Sequence, residues 1–120
     1  MARLPRQSYY RKGLWAERLS ALWLRLQGYR ILKSRYQNPF GEIDLIAVRR
    51  KKLVFVEVKS RARMQDAREA VTRHQQQRLQ RGASYFLSKN PRYITYLQSF
   101  HIILWSGWRF QHLKDVWFHA

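Results

Sequence analysis

The chain has no cysteine and few acidic residues, and both facts limit the kinds of functional site and binding partner that it can have. Its 120 residues include 24 lysines and arginines but only seven aspartates and glutamates, so the formal net charge is +17. Without cysteine there can be no disulfide bonds, thiolate zinc sites or cysteine nucleophiles. No uninterrupted apolar stretch approaches the roughly 18 residues of a membrane-spanning helix. We therefore expect a cytoplasmic protein with no membrane partner.

The composition predicts one folded domain that binds a polyanion. With 46% apolar and 15% aromatic residues, the chain can build a single hydrophobic core. Nucleic acid is the first candidate partner, because its phosphates release counterions when lysine and arginine contact them. An anionic membrane surface fits less well, since the basic residues are spread along the chain and not gathered in one amphipathic segment. We expect a loose basic arm over residues 1–12 and a single domain over residues 13–120.

The spacing of apolar residues predicts an α/β fold. Alternating and β-branched runs predict five strands, over residues 29–37, 42–48, 53–59, 100–105 and 108–118. Helical spacing predicts two helices, over residues 13–27 and 66–89, the second of which begins at a capping box of Asp66 and Glu69. This order of elements predicts a mixed central sheet flanked by helices.

Three of the seven acidic residues, Glu42, Asp44 and Glu57, lie in the predicted hairpin over residues 42–59, two of them within apolar strand patterns. A carboxylate in a buried strand costs free energy unless it is paired, hydrogen-bonded or bound to a metal. Residues two apart share a strand face, so Glu57 projects beside Lys59, and strand pairing can bring Asp44 next to Glu57. A hard cation relieves the repulsion between two such carboxylates. We therefore expect a Mg²⁺ (or Mn²⁺) site, with Lys59 positioned to stabilise a phosphate or act as a base.

These motifs resemble those of the PD-(D/E)xK nuclease superfamily, with Asp44 as the first acid and Glu57-Val58-Lys59 as the second motif. Ile43 stands where the namesake proline would be. More narrowly, the segments 41–47 (GEIDLIA) and 54–61 (VFVEVKSR) resemble the YraN family, whose members are inferred to be endonucleases and are similar to archaeal Holliday junction resolvases. The resemblance implies a restriction-endonuclease-like fold.

The resemblance also implies a metal-dependent DNA endonuclease acting on branched or damaged structures, with DNA favoured over RNA. Asp44 and Glu57 would hold the metal, with the main-chain carbonyl of Val58 as a third ligand. Lys59 would position or deprotonate the attacking water. Because resolvases cut two symmetric strands, a homodimer is implied as well.

Four further positions match or depart from the family pattern. Gly13 and Glu17 match its Gly-x-x-x-Glu motif on the first helix, so Glu17 would complete the metal site. Glu17 lies away from the main apolar stripe, which consists of Trp15, Leu19, Leu22, Trp23 and Leu26. Gln75 stands where many relatives have lysine and would contact Lys59 or the phosphate, and His101 stands where aspartate is expected.

The basic residues expected to border the site and grip the nucleic-acid backbone are Arg49, Arg50, Lys51, Lys52, Arg61 and Arg63. The four histidines lack ligand spacing and are expected to be structural or exposed. Two alternatives stay open. Because Gln75 and His101 depart from the family, the chain could be a nucleic-acid-binding module with a nuclease-like fold and no turnover. It could also be a basic RNA-associated protein in which the carboxylates serve only as ion-pair partners.

Overall fold

The structure is a computed structural model that describes the backbone of residues 6–116 and the side chains of residues 13–116. The elements follow in the order α1 (Arg6–Leu26), β1 (Arg30–Asn38), β2 (Gly41–Arg49), β3 (Lys52–Ser60), α2 (Met64–Glu69), α3 (Arg73–Lys89), a 3-10 turn (Pro91–Tyr93), β4 (Leu97–Ser106) and β5 (Arg109–Leu113). The strands form one sheet in the order β1-β2-β3-β4-β5, antiparallel throughout except for the parallel β3–β4 pair. The predicted mixed sheet flanked by helices is confirmed, and it is compatible with the restriction-endonuclease-like fold.

The helices cover both faces of the sheet. Helix α1 packs on one face in a core that includes Val54 and Val56 of β3. Helix α3 packs on the other face, where Leu53 and Phe55 of β3 are buried. Because successive side chains of β3 alternate between these faces, Glu57 follows Phe55 onto the α3 side, as its position in the strand predicts.

The side of helix α1 that faces the sheet is not centred on the predicted apolar stripe. Trp15, Leu22 and Leu26 are all at least half exposed. The buried side instead carries small residues and one leucine: Ala16, Ser20, Ala21 and Leu24. Small side chains let the helix approach the sheet closely, which favours this side over the bulkier stripe. The helix ends in a Schellman motif, in which the N–H of Tyr29 donates to the carbonyl of Leu24 and Gly28 has a φ of 93°.

The single long helix predicted over residues 66–89 is wrong, because the structure divides this segment into α2 and α3. Thr72 stands between them in an extended conformation, and its side chain accepts a hydrogen bond from the N–H of Gln75. Thr72 is thus the N-cap of α3, and the β-branched pair Val71-Thr72 separates the helices. Asp66 lies within the first turn of α2 and is not a cap.

The ends of the chain differ from the sequence-based expectation. Helix α1 begins at Arg6 and not near residue 13, so the part of the predicted arm from residue 6 onward is helical. Residues 1–5 of that arm lie outside the described residues, as do residues 117–120. Strand β5 ends at Leu113, earlier than predicted. Within the described range, no helix has the length and apolar character needed to cross a membrane.

Candidate metal centre

Asp44 lies at the centre of a group of carboxylates at the end of the β2–β3 hairpin. Leu45 pairs with Val56 in the antiparallel ladder, which makes Asp44 and Glu57 the next opposed pair. The two residues meet as the strand pattern predicts, since Asp44 lies close enough to Glu57 to raise the pKa of that carboxyl group. Oδ2 of Asp44 also accepts a 2.7 Å hydrogen bond from the main-chain N–H of Val58. The β3 backbone thus fixes Asp44, while the carbonyl of Val58 as a metal ligand stays a prediction.

Two further carboxylates complete the cluster. Glu17 reaches it from α1, and Glu42 reaches it from β2, two residues before Asp44. One oxygen of each of these three residues lies within 4.8 Å of the others. With Glu57 they form what we call the carboxylate cluster, which holds four of the seven acidic residues of the chain. Glu17 belongs to it because α1 buries the side of its surface that carries Ala21 and Leu24.

The electrostatics of the cluster show that negative charge is crowded there. Burial raises the pKa of Glu57 to about 9, and the hydrogen bond and charge of Asp44 add to the rise, while Lys59 and Arg78 oppose it. Burial also raises the pKa of Glu17 to about 7, with the charge of Asp44 adding to it. Burial, with the neighbouring negative charge of Asp44, favours the protonated form of both carboxyl groups. A divalent cation would replace the protons, so the donor set fits Mg²⁺ or Mn²⁺, which prefer carboxylate oxygens.

Lys59 stands beside the cluster as predicted, on the same strand face as Glu57. Its Nζ lies 3.9 Å from Oε1 of Glu57, and both side chains are only 14% exposed. An ammonium group held in this position can offer positive charge to a phosphate that approaches the carboxylates.

Two arginines that were not predicted from the sequence lie at the cluster. Nε of Arg35 lies 3.6 Å from Glu42 and 3.9 Å from Glu17. The position of Arg35 depends on its left-handed backbone, with a φ of 54°, and no sequence signal marks that conformation. Arg78 lowers the pKa of Glu57 and packs on the first residue of β2, where a Cβ on Gly41 would lie 2.8 Å from its guanidinium. Arg78 follows Gln75 by one helical turn, and that spacing was a usable signal.

Gln75 lies in the first turn of α3, and its Oε1 is buried without a hydrogen-bond partner among the described residues. This oxygen therefore accepts no hydrogen bond from Lys59, and a contact of Gln75 with the phosphate stays a prediction. Buried amide oxygens are nearly always hydrogen-bonded, so an unpartnered one can accept from a ligand or water.

The basic turn Arg49–Lys52 does not border the cluster, and that expectation is wrong. The turn lies at the opposite end of the hairpin, five residues along β2 from Asp44, which corresponds to about 17 Å of strand. Arg49 donates to the carbonyl of Gln27 and lies over the ring of Tyr29, so it fastens β2 to the end of α1. Lys52 pairs with Asp115.

Arg61 and Arg63, in contrast, are exposed just beyond the end of β3 that carries Lys59. Arg63 makes a 3.9 Å contact with Asp66. A nucleic-acid role for all six basic residues stays a prediction.

His101 belongs to a separate buried network on the α1 face. Nε1 of Trp23 donates to Nδ1 of His112, so the proton of that imidazole lies on Nε2 and is donated to Nδ1 of His101 at 2.9 Å. Burial lowers the pKa of His101 to about 3 and that of His112 to about 4, which keeps both rings neutral. The replacement of the expected aspartate thus changes this network and not the carboxylate cluster. His74 is exposed, and His119 lies outside the described residues.

Comparison with known sequences places the chain in a family. The sequence model described as "Uncharacterised protein family UPF0102" matches residues 16–110. A UPF0102 protein of Paramagnetospirillum magneticum is 43% identical over 116 residues, which cover 92% of this chain and 90% of that protein. A UPF0102 protein of Chelativorans sp. is 50% identical over 92 residues, covering 77% and 74% of the two chains. One of Rhodopseudomonas palustris is 46% identical over 99 residues, covering 82% and 76%. The chain therefore belongs to the UPF0102 family.

Proposed function

We propose that this protein is a metal-dependent endonuclease of the PD-(D/E)xK type, related to the YraN proteins, that hydrolyses phosphodiester bonds of DNA. The observation that carries the proposal is the position of Asp44, whose carboxylate lies between Glu17 and Glu57 with Lys59 beside them. The two motifs are 13 residues apart in sequence, since Asp44 precedes Glu57 on the neighbouring strand. Their convergence at one point is what a hydrolytic metal site requires.

Each residue of the cluster has a role in this proposal. Asp44 and Glu57 would hold Mg²⁺ or Mn²⁺, with Glu17 and the Val58 carbonyl completing the set. The bound cation would supply charge neutralisation and an activated water. Val58 holds Asp44 in place through its N–H, because that bond restricts the rotation of the carboxylate. Lys59 offers its charge to the scissile phosphate or holds the attacking water.

The groups around the cluster support substrate binding. The unpartnered Oε1 of Gln75 can accept a hydrogen bond from the attacking water. Arg35 and Arg78 reduce the negative potential that the cluster would present to an incoming phosphate. The net charge of +17 favours binding to the backbone of a nucleic acid, which supports preference for shape over base sequence.

A non-catalytic nucleic-acid-binding module is the second candidate, and one observation favours it. Gln75 cannot supply the positive charge that a lysine at this position would give. A panel of linear, nicked, flapped and four-way DNA with Mg²⁺ or Mn²⁺ separates the two. The endonuclease cleaves at least one substrate and stops in EDTA, whereas the binding module retains all of them intact.

A further inference from the structure

A groove lined by tryptophans adjoins the carboxylate cluster. It has a volume of about 1140 Å³ and opens between α1 and the turn that joins β4 to β5. Its lining includes three tryptophans and two basic residues, Trp15, Trp105, Trp108, Lys59 and Arg61. We call this the aromatic groove.

The three tryptophans differ in how they are held. Trp105 is buried, stacks on Phe110 with ring centres 4.7 Å apart, and donates its indole N–H to Oγ of Ser20 at 2.8 Å. It therefore forms a fixed part of the wall. Trp15 is 61% exposed and Trp108 is 83% exposed, so each leaves an aromatic face open to solvent. Large exposed aromatic surfaces grouped in one concavity are typical of a binding site and not of an ordinary protein surface.

The groove and the carboxylate cluster share their walls. Helix α1 contributes Ala16 to the groove and the next residue, Glu17, to the cluster. Strand β3 contributes Val58 and Lys59 to the groove, directly after Glu57. Lys59 belongs to both surfaces, because its Nζ lies 3.9 Å from Oε1 of Glu57 and its side chain also lines the groove. A polymer with a phosphate at Lys59 would therefore reach the groove with its neighbouring residues.

The occupant that fits this surface carries both negative charge and flat rings. Lys59 and Arg61 complement phosphates, while the open faces of Trp15 and Trp108 complement planar groups. Unpaired nucleotides present both, since their bases are free to stack on aromatic side chains. In an intact duplex the bases are already stacked on one another and cannot reach an indole face.

We propose that the aromatic groove binds unpaired bases and thereby directs the metal centre to nucleic acids that contain a single-stranded segment, in preference to intact duplex. This inference rests on the proposed endonuclease function for its second part. Binding of unpaired bases is a property of the groove alone, so the two can be tested separately.

The test compares two ligands of equal charge, an oligothymidylate and an abasic deoxyribose-phosphate chain of the same length. Fluorescence anisotropy in EDTA measures the affinity of the full-length protein for each. We expect oligothymidylate to bind at least about five-fold more tightly, because each stacked base contributes on the order of 1–3 kcal/mol. Trp108→Ala and Trp15→Ala should each reduce this ratio, while Trp108→Phe should retain most of it.

Leu97→Ala is the matched control, because Leu97 is 68% exposed at the far end of β4 from Trp105. It should leave the ratio unchanged. A melting curve for each variant identifies any that fails to fold, and Trp108→Phe then serves as the second variant, with a reduced but measurable ratio expected.

Equal affinity for the two oligonucleotides, or no binding of either, would overturn the inference. The inference would also be overturned if every tryptophan variant kept the wild-type preference for oligothymidylate. The groove would then bind another partner, such as a second copy of this chain. If the wild type prefers oligothymidylate through Trp108 but cleaves no DNA of the panel, the groove binds bases and the endonuclease proposal is rejected. If the wild type cleaves DNA but binds the two oligonucleotides equally, the endonuclease stands and base binding by the groove is rejected.

Discussion

Replacing Asp44 with asparagine removes one negative charge from the centre of the carboxylate cluster and changes little else. An amide oxygen at this position can still accept the N–H of Val58, whose bond to Asp44 is 2.7 Å long. Asp44→Ala would leave that N–H without its partner, at a cost of about 1–3 kcal/mol, and would confuse loss of charge with loss of structure. Asparagine is therefore the more informative substitution.

The structure sets the expected size of the effect. Oxygens of Asp44 and Glu17 lie within 4.8 Å of each other. Two full charges at that distance repel by about 3 kcal/mol at an effective dielectric constant of about 20, and solvent around Glu17 reduces this. At pH 8, above the raised pKa of Glu17, the metal-free variant should therefore be as stable as the wild type or more stable.

With metal bound, the wild type should instead be more stable than Asp44→Asn. A cation at 100 times its dissociation constant stabilises the wild type by about 2.7 kcal/mol, which corresponds to a rise of about 10 °C in melting temperature for a domain of this size. The variant should gain almost none of this. Melting curves in EDTA, Mg²⁺ and Mn²⁺ measure both effects, with Asp66→Asn as the control, since Asp66 is an exposed acid outside the cluster. An Asp44→Asn protein that melts lower in EDTA and responds to metal like the wild type would show that Asp44 neither repels its neighbours nor binds the cation.

Three further predictions concern pH, Lys59 and salt. Burial raises the pKa of Glu17 to about 7 and that of Glu57 to about 9, from the usual 4.5, so the metal-free protein should lose stability as the pH rises through both values. Mn²⁺ should remove most of that loss. A melting temperature that stays constant from pH 5 to pH 10 in EDTA would contradict this prediction. Lys59→Met should bind Mn²⁺ at least as well as the wild type but cleave about 10²–10³-fold more slowly. Lys114→Met is the control, because Lys114 is an exposed lysine outside the cluster. Unchanged cleavage with a melting temperature lower than that of the control would mean that Lys59 is only a structural ion-pair partner. Affinity for duplex DNA should fall with a slope of about −0.9 per neutralised phosphate in log–log salt titrations, and a flat response would mean that the charge of +17 serves another purpose.

The hairpin and its carboxylates could be predicted because local rules determine them. Alternation in the two strands predicts which side chains share a face, and pairing of the strands as a hairpin predicts that Asp44 can lie beside Glu57, in agreement with the observed register. The same register could have corrected the expectation for Arg49–Lys52. A turn that joins two strands lies at one end of the hairpin, and Asp44 lies near the other.

The features that could not be predicted depend on packing between elements. The periodicity of α1 predicts a buried stripe that includes Trp15, Leu22 and Leu26, yet only Leu19 and Trp23 of that stripe pack on the core. The residues buried most fully are Ala16, Ser20, Ala21 and Leu24, whose mostly small side chains let the helix lie close to the sheet. Because of this orientation of α1, Trp15 faces solvent and lines the aromatic groove.

The remaining misses arise from single residues. One hydrogen bond from the N–H of Gln75 to Thr72 is enough to begin a new helix where periodicity predicts continuity. Arg35 reaches Glu17 and Glu42 from a left-handed backbone position that a non-glycine residue rarely adopts. Neither leaves a signal in the hydrophobic pattern.

The decisive experiment is cleavage of end-labelled flapped and four-way DNA in Mn²⁺ by wild type and Asp44→Asn purified side by side. We expect the wild type to produce discrete fragments, and EDTA to abolish them. The variant should produce none while binding the same DNA with equal or higher affinity, because it has lost a negative charge that faces phosphate. Fragments of equal yield from both proteins would contradict the assignment of the carboxylate cluster as the catalytic metal centre. A wild type that binds these substrates but cuts none of them would contradict the endonuclease proposal.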